Sequence, residues 1–271
     1  MKVAYIIPCA LGHTQVGFTL DHVMSQSQTP AEVVVVANGW DGRRLPSQSG
    51  VRVLSIPRNV GYDAACNLGI LSTSSPYVAL INDDALLPER WGEQLTGIMD
   101  RERTLAALTG VSDPGNGQPV CAGSRWNKRF QAVETDDPGE VEFLNFTAVL
   151  LRREALLRAG FFPERYFAYY EDVDATLRFT THGYRVRSIP EIRVAHAPST
   201  SAPILGSRRW ALLLRNRYWT LCRHYGFGFL LRHFPHLFHG DLILWKKLIL
   251  RPDLLISAYA SIPAFPRWSH G

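Results

Sequence analysis

The sequence is poor in cysteine, and the four it has, Cys9, Cys66, Cys121 and Cys222, are scattered with no Cys-x-x-Cys pair. Neither a zinc ribbon nor a disulfide framework fits that spacing, whereas a reducing compartment does. A Gly-x-Gly-x-x-Gly loop is also missing. After the first apolar stretch Gly12 stands alone in CALGHTQ, which argues against a dinucleotide-type phosphate loop. Phe227–Leu250 comes nearest to a membrane-spanning run, but Arg232, His233, Pro235, His236, His239, Gly240 and Asp241 interrupt it. A spanning helix needs ~20 mainly apolar residues. The start, MKVAYIIPCA, has too short an apolar run for a signal peptide and is broken by Pro8, so it is expected to be a first β-strand.

Acidic residues are scarce in one region only. Residues 206–271 hold 10 Lys/Arg but just Asp241 and Asp253, a net charge of +8; residues 1–205 hold 19 Lys/Arg and 22 Asp/Glu, a net of −3. The expected organisation is a near-neutral body over 1–205 and a basic, aromatic, helical extension over 206–271. Such an extension attracts anionic lipid head groups, phosphate or nucleic acid. With 46% hydrophobic and 20% charged residues, the chain can bury a core without staples.

What is present is a regular alternation. Val3–Pro8, Glu32–Ala37, Val51–Ile56 and Tyr77–Ile81 are short apolar runs of strand length, with helix-like stretches at Phe18–Gln26 and Tyr62–Leu71. This pattern predicts an α/β fold with a doubly wound, mainly parallel sheet. Trp91–Arg103 reads as a further helix, Asp113–Gln131 and Thr135–Gly139 as loops, and Glu140–Arg153 as a strand. A short helix at Glu154–Ala159, strands at Tyr184–Ile189 and Ile192–Ala195, and a helix with an apolar stripe at Arg208–Tyr225 complete the set.

The stretch YVALINDDALLPERW, 77–91, organises the rest. Its apolar strand ends in Asn82-Asp83-Asp84, and the carboxyl ends of strands are where open α/β sheets bind ligands. Adjacent carboxylates repel and sit best beside a hard cation such as Mg²⁺ or Mn²⁺, although Asn and Asp are also ordinary turn residues. In RNVGYDAACNLGI, 58–70, small residues allow close backbone approach at a helix start, which favours anions; tight packing on the sheet is the plainer reading. A second chemical centre lies in FFPERYFAYYEDVDATLRFTTH, 161–182, where an aromatic run opens onto Glu171-Asp172-Val173-Asp174. Helix capping accounts for one or two of these carboxylates but not for the aromatic wall, and apolar surroundings make a carboxylate a better base near neutral pH. His196 ends the last strand.

In this order, the first strand, the Asn59–Gly69 segment, Asn82-Asp83-Asp84, the Glu171–Asp174 cluster and His196 resemble inverting family-2 glycosyltransferases of the GT-A fold. Rhamnosyltransferase-like and galactofuranosyltransferase-like members are the most similar in pattern. The resemblance implies that Asp84 ligates Mg²⁺ or Mn²⁺ at the donor's diphosphate, with His196 as a second ligand. It implies that Asn82 and Asp83 touch the donor's ribose or the metal's water shell, and that Pro8 and the Asn59–Gly69 segment, with Gly61 and Asn67, line the donor pocket. Asp172 would be the general base for an acceptor hydroxyl, with Glu171 and Asp174 orienting it or binding sugar hydroxyls. Three positions depart from the family pattern. Ala37 ends the second strand where an acidic residue is usual, which leaves the base to Asn38 or Asp41; Cys66 replaces Arg before Asn67; and Phe146 replaces Gly.

The expected partners are a nucleoside-diphosphate sugar, a glycan or lipid-linked acceptor of the cell envelope, and an anionic membrane surface engaged by 206–271. The expected location is the cytoplasmic face of the cell membrane. No nucleic-acid reader motif is present. The tail aromatics Trp210, Trp219, Phe227, Phe229, Phe234, Phe238 and Trp245 could instead pack on the body or on a second copy of the chain. A sugar-phosphate nucleotidyltransferase would carry a Gly-rich basic loop that CALGHTQ lacks. A non-catalytic binding module would tolerate loss of the base, which is present.

Overall fold

The computed structural model describes residues 2–10, 16–42, 45, 49–115, 117–196 and 205–260. The segments holding Gly12 and residues 197–204 lie outside them. The strands are β1 (Val3–Ala10), β2 (Glu32–Asn38), β3 (Val51–Ile56), β4 (Tyr77–Ile81), β5 (Ala85–Leu86), β6 (Leu105–Asp113), β7 (Gly123–Trp126), β8 (Ala132–Thr135), β9 (Ala148–Arg152) and β10 (Arg185–His196). Eight of them form one sheet in the order β3-β2-β1-β4-β9-β6-β10-β5. Pairing is parallel from β3 through β4 and between β6 and β10. The insertion of β9 is antiparallel to both β4 and β6.

The helices are α1 (Val16–Met24), α2 (Tyr62–Leu71), α3 (Trp91–Arg101), α4 (Arg153–Ala159), α5 (Glu171–Thr181), α6 (Arg208–Tyr225), α7 (Phe227–Arg232), α8 (Phe234–Leu248) and α9 (Pro252–Ala260). Strand side chains alternate between the two faces. Val3, Tyr5, Ile7, Tyr77, Ala79 and Ile81 pack with Leu20 and Val23 of α1 and Trp91, Leu95 and Met99 of α3. On the other face Ile6, Val34, Val36, Val78 and Leu80 meet α2, α4 and α5 through Cys66, Ile70, Leu156 and Phe179. A sheet covered on both faces explains why the central strands read as continuous apolar runs. The small residues of α2 serve this packing: a Cβ on Gly69 would lie 2.3 Å from Ile6 Cγ2.

Three expectations need correction. Asp113–Gln131, read as a loop, contains β7, which pairs with β8 in an antiparallel hairpin that reaches Thr135 at the start of the second expected loop. The strand expected over Glu140–Arg153 is confined to β9, with a 3-10 turn at Pro138–Glu140 and irregular chain between. The two strands expected over 184–195 are one, β10, broken by a bulge between Ile189 and Arg193.

The extension is tied into the body by its first helix. Trp219 of α6 stacks on Tyr166 with ring centroids 5.9 Å apart, and Tyr166 Oη and Thr220 Oγ1 are hydrogen-bonded at 2.9 Å. Trp219 is buried with Phe143, Tyr170 and Val173, so it belongs to the packed aromatics. Within the helical region Arg217 and Asp241 form a fully buried ion pair, and Asp241 also accepts hydrogen bonds from Tyr218 and Tyr259. No helix among the described residues is long and apolar enough to cross a membrane.

Removing one partner of a buried pair strands the other charge, at a cost of about 3–5 kcal/mol. Asp241→Ala is therefore expected to lower unfolding free energy by about that much in a denaturant titration, whereas Asp253→Ala, on an exposed pair with Arg251, should leave it nearly unchanged.

Candidate functional site

Polar side chains gather where the central strands end. There the ends of β1, β2, β4 and β10 and the start of β9 surround a cavity of about 410 Å³. Asn82, Asp83 and Asp84 occupy the turn after β4, with Ala85 N–H donating to Asn82 O at 3.1 Å. The two-residue β5 then pairs antiparallel with the end of β10, setting His196 opposite Ala85. This register brings His196 Nε2 to 3.0 Å from Asp84 Oδ1, while His196 Nδ1 faces Ser112 Oγ at 3.3 Å. The carboxylate and imidazole are thus joined through two backbones, 112 positions apart in the chain.

The opening of α5 supplies the second polar cluster. Phe167, Tyr169 and Tyr170 all take left-handed backbone angles, φ 69°, 70° and 72°, and lead into Glu171 and Asp172. Phe167, Ala168, Tyr169, Tyr170, Glu171 and Asp172 line the cavity together with Asp84 and His196. Burial, then the charge of Asp172, pushes the Glu171 carboxyl up to about 8; burial pushes Asp172 up to about 6. At neutral pH the pair shares a proton, and the carboxylate that remains is more basic than an ordinary one.

The remaining predicted site residues divide. Pro8, Asn38, Asn59 and Gly61 line the cavity. Asn38 and Asn59 spend most of their capacity on the turn itself: Asn38 Nδ2 donates to Asn59 Oδ1 and Gly61 O, and Asn38 Oδ1 accepts from Val60 N. Gly61, at φ 95°, has no space for a side chain, because a Cβ would lie 2.6 Å from Phe167 O. Asp41, Asn67 and Asp174 are not among the lining residues. Asn67 is buried and exchanges two hydrogen bonds with the backbone of Phe162. Asp174 is fully buried and paired with Arg178, Arg223 and His224. Burial alone would raise its carboxyl, but those partners outweigh burial and hold it at about 2. It fastens α5 to α6 rather than facing the cavity.

Sequence reasoning missed Asp63, Glu134 and Asn145. Glu134 and Asn145 join the lining from the hairpin and from the chain before β9. Asp63 is fully buried in the first turn of α2, and neither carboxylate oxygen has a hydrogen-bond partner among the described residues. Burial, then Glu171, Asp174 and Asp172, pushes its carboxyl well above the usual range. Nothing in the linear order sets residue 63 beside residue 171.

A model of glycosyl transferase family 2 matches residues 5–159, more than half of the chain. The chain belongs to glycosyl transferase family 2. No curated protein sequence matches it. Solved structures of similar fold include residues 1–349 of Staphylococcus aureus TarS, at 16% identity and TM-score 0.60 over 98% of this chain and 81% of that one. The mannosyltransferase PcManGT from Pyrobaculum calidifontis, in complex with GDP-Man and Mn²⁺, gives 19% and 0.60 over 98% and 76%. GalNAc-T7 with UDP, GalNAc and Mn²⁺ gives 14% and 0.64 over 82% and 48%. The chain spans only 40% of a longer TarS structure. At these identities the likeness is one of fold, the GT-A fold that the family-2 motifs imply.

For a family-2 site, the donor set at the acidic turn fits a hard divalent cation: one carboxylate and one imidazole nitrogen, with the other ring nitrogen held by Ser112. Among the described residues no group of three His, Cys, Asp or Glu is set to hold a metal ion unaided. The two side chains therefore suit an ion whose other ligands come from a substrate and water.

The raised carboxyls predict an unusual stability profile. Unfolded Asp and Glu titrate near ~4, so between that pH and the folded values of about 6 and 8 the native state holds protons that the unfolded chain releases. Stability attached to these groups is fully present below ~4 and falls as pH rises through that window. Glu171→Gln should accordingly raise the melting temperature at pH 8 and leave it nearly unchanged at pH 4, as differential scanning calorimetry would report.

Proposed function

We propose that the protein transfers a sugar from a nucleoside-diphosphate sugar to an acceptor hydroxyl with inversion at the anomeric carbon. The observation that carries this reading is the pair of separate polar clusters in one cavity, Asp84 with His196 and Glu171 with Asp172. Displacement from the face opposite the leaving group requires a base that is distinct from the groups handling the diphosphate. Asp172 takes the acceptor's proton as its oxygen bonds to the anomeric carbon, and the electron pair of the breaking bond departs with the diphosphate. Glu171, protonated, is a hydrogen-bond donor beside it. Asn82 and Asp83 bind the donor near its ribose, and Pro8, Asn38, Asn59 and Gly61 form the nucleotide end.

Asp84 and His196 would hold Mg²⁺ or Mn²⁺, which when bound offsets the charge of the leaving diphosphate as a Lewis acid. PcManGT and GalNAc-T7, of the same fold, are seen with Mn²⁺ and nucleotide, which supports that role. Release of nucleoside diphosphate from a panel of UDP-, dTDP- and GDP-sugars tests the assignment. Chelation should abolish it and Mn²⁺ restore it; Asp84→Ala should remove the metal stimulation. Asp172→Asn should slow transfer roughly 10²–10⁴-fold with donor affinity nearly unchanged. A collapse of donor affinity in Asp172→Asn would make Asp172 a binding residue instead.

The acceptor is proposed to be a lipid-linked or cell-envelope glycan reached at an anionic membrane face. What supports this is α8, apolar on two sides. Leu237, Leu244 and Leu248 face inward, while Phe234, Phe238, Leu242 and Ile249 are exposed. Phe227, Leu231, Leu250 and Ile256 are also exposed, beside the exposed cations Lys246, Lys247 and Arg251. A cluster of exposed apolar side chains marks an interaction surface, and apolar insertion with cations at the head groups is how interfacial helices bind. The chain should co-sediment with anionic vesicles and poorly with neutral ones, and replacing Lys246, Lys247 and Arg251 by Gln should weaken this. Absence of vesicle binding together with a stable dimer in solution would assign the surface to a second copy.

A further inference from the structure

We infer that Asn216, on the first helix of the basic extension, is a positioning residue for Asp172, acting by holding the backbone of the aromatic segment that aims it. This rests on the reading of Asp172 as the base. Left-handed φ at non-glycine residues costs of order 1–3 kcal/mol each and persists only where the surroundings impose it. Three such residues occur within four positions here, Phe167, Tyr169 and Tyr170. Phe167 (φ 69°, ψ −49°) has the angles of a strained γ-turn, and Tyr170 (φ 72°, ψ 0°) caps α5 directly before Glu171 and Asp172.

Two sets of donors impose this conformation. From the nucleotide side, Tyr62 N–H donates to Phe167 O at 2.6 Å. From the extension, Asn216 Nδ2 is placed against three carbonyl oxygens, of Tyr166 at 3.1 Å and of Ala168 and Tyr169 at 2.8 Å each. The Asn216 side chain is itself oriented, its Oδ1 accepting from Arg215 Nε at 3.0 Å, while Arg215 Nη2 donates to the carbonyls of Arg165 and Tyr166 at 2.9 Å. Asn216 is fully buried, so no water replaces a lost donor cheaply. One primary amide, reaching three carbonyls of a strained segment, thus sets the register with which α5 begins. Glu171 and Asp172 follow from that register. The Asp174 cluster and the Leu144 N–H bond to Thr176 Oγ1 fix the body of α5, and the Asn216 contacts fix the segment that opens it.

The test is a double-mutant cycle. Asn216→Ala and Asn216→Ser, the latter keeping a single hydroxyl donor, are each combined with Asp172→Asn, and transfer is measured against pH alongside donor binding. If Asn216 acts through Asp172, each single Asn216 variant slows transfer about 10²-fold, the loss that a misplacement of ~1 Å brings. Donor affinity should stay within a few fold, and the acid limb of the pH–rate profile should move from about 6. In the Asp172→Asn background the same Asn216 change should then cost almost nothing further. Full transfer in both Asn216 variants, multiplicative losses in the double variants, or failure of Asn216→Ser to fold would each overturn the inference and leave Asn216 a packing residue. Failure of the base assignment has a different signature, normal transfer in Asp172→Asn alone.

Discussion

Strands buried on both faces, as β1, β4 and β9 are here, can expose polar groups only where they end. That constraint organises this protein. The central strands are apolar throughout because helices cover both sides, and what chemistry the chain carries is collected at a single edge. Asn38 ends β2, the Asn82–Asp84 turn follows β4, and His196 ends β10. The last two would still be apart without the two-residue strand β5, which folds back against β10 and turns a position in the sequence into a 3.0 Å contact.

The other half of the site is made at a cost in stability. Glu171, Asp172 and Asp63 are carboxyl groups enclosed together, and each is driven upward in pKa by burial. Folding alone would favour neutral or apolar side chains there, and such local conflict is common at functional sites. The left-handed aromatic segment before α5 adds backbone strain to the same place. Compensation comes from outside the sheet, through the buried Asp174 cluster with Arg178, Arg223 and His224 and through Asn216. Both draw on α6. The basic extension is therefore part of what shapes the cavity as well as a source of positive charge.

Much of this was legible in the sequence, for definable reasons. The limits of α2, Tyr62–Leu71, are plain in the sequence, since Gly61 before it and small residues along it leave little alternative. β4 and the acidic turn were legible because a five-residue apolar run stopping at three polar residues admits few foldings. The hairpin β7–β8 was not, because its Gly- and Asn-rich surroundings look like loop and its pairing stands apart from the main sheet. Asn67 and Asp174 sit in motif positions yet face backbone or arginine, a distinction that only three-dimensional partners make. Arg215 and Asn216 fall within the helix expected over Arg208–Tyr225, and nothing in that helix's apolar stripe singles them out. Their burial depends on a strained segment 50 positions earlier in the chain, which no local pattern reveals.

The central claim is that Asp84 and His196 form an incomplete metal site that a nucleoside diphosphate completes. Titration of Mn²⁺ followed by electron paramagnetic resonance, with and without UDP or GDP, measures this directly. The account predicts weak Mn²⁺ binding to the protein alone, much tighter binding with nucleotide, loss of that gain in His196→Ala and its retention in Asp172→Asn. Equal Mn²⁺ affinity with and without nucleotide, or an undiminished gain in His196→Ala, would contradict it.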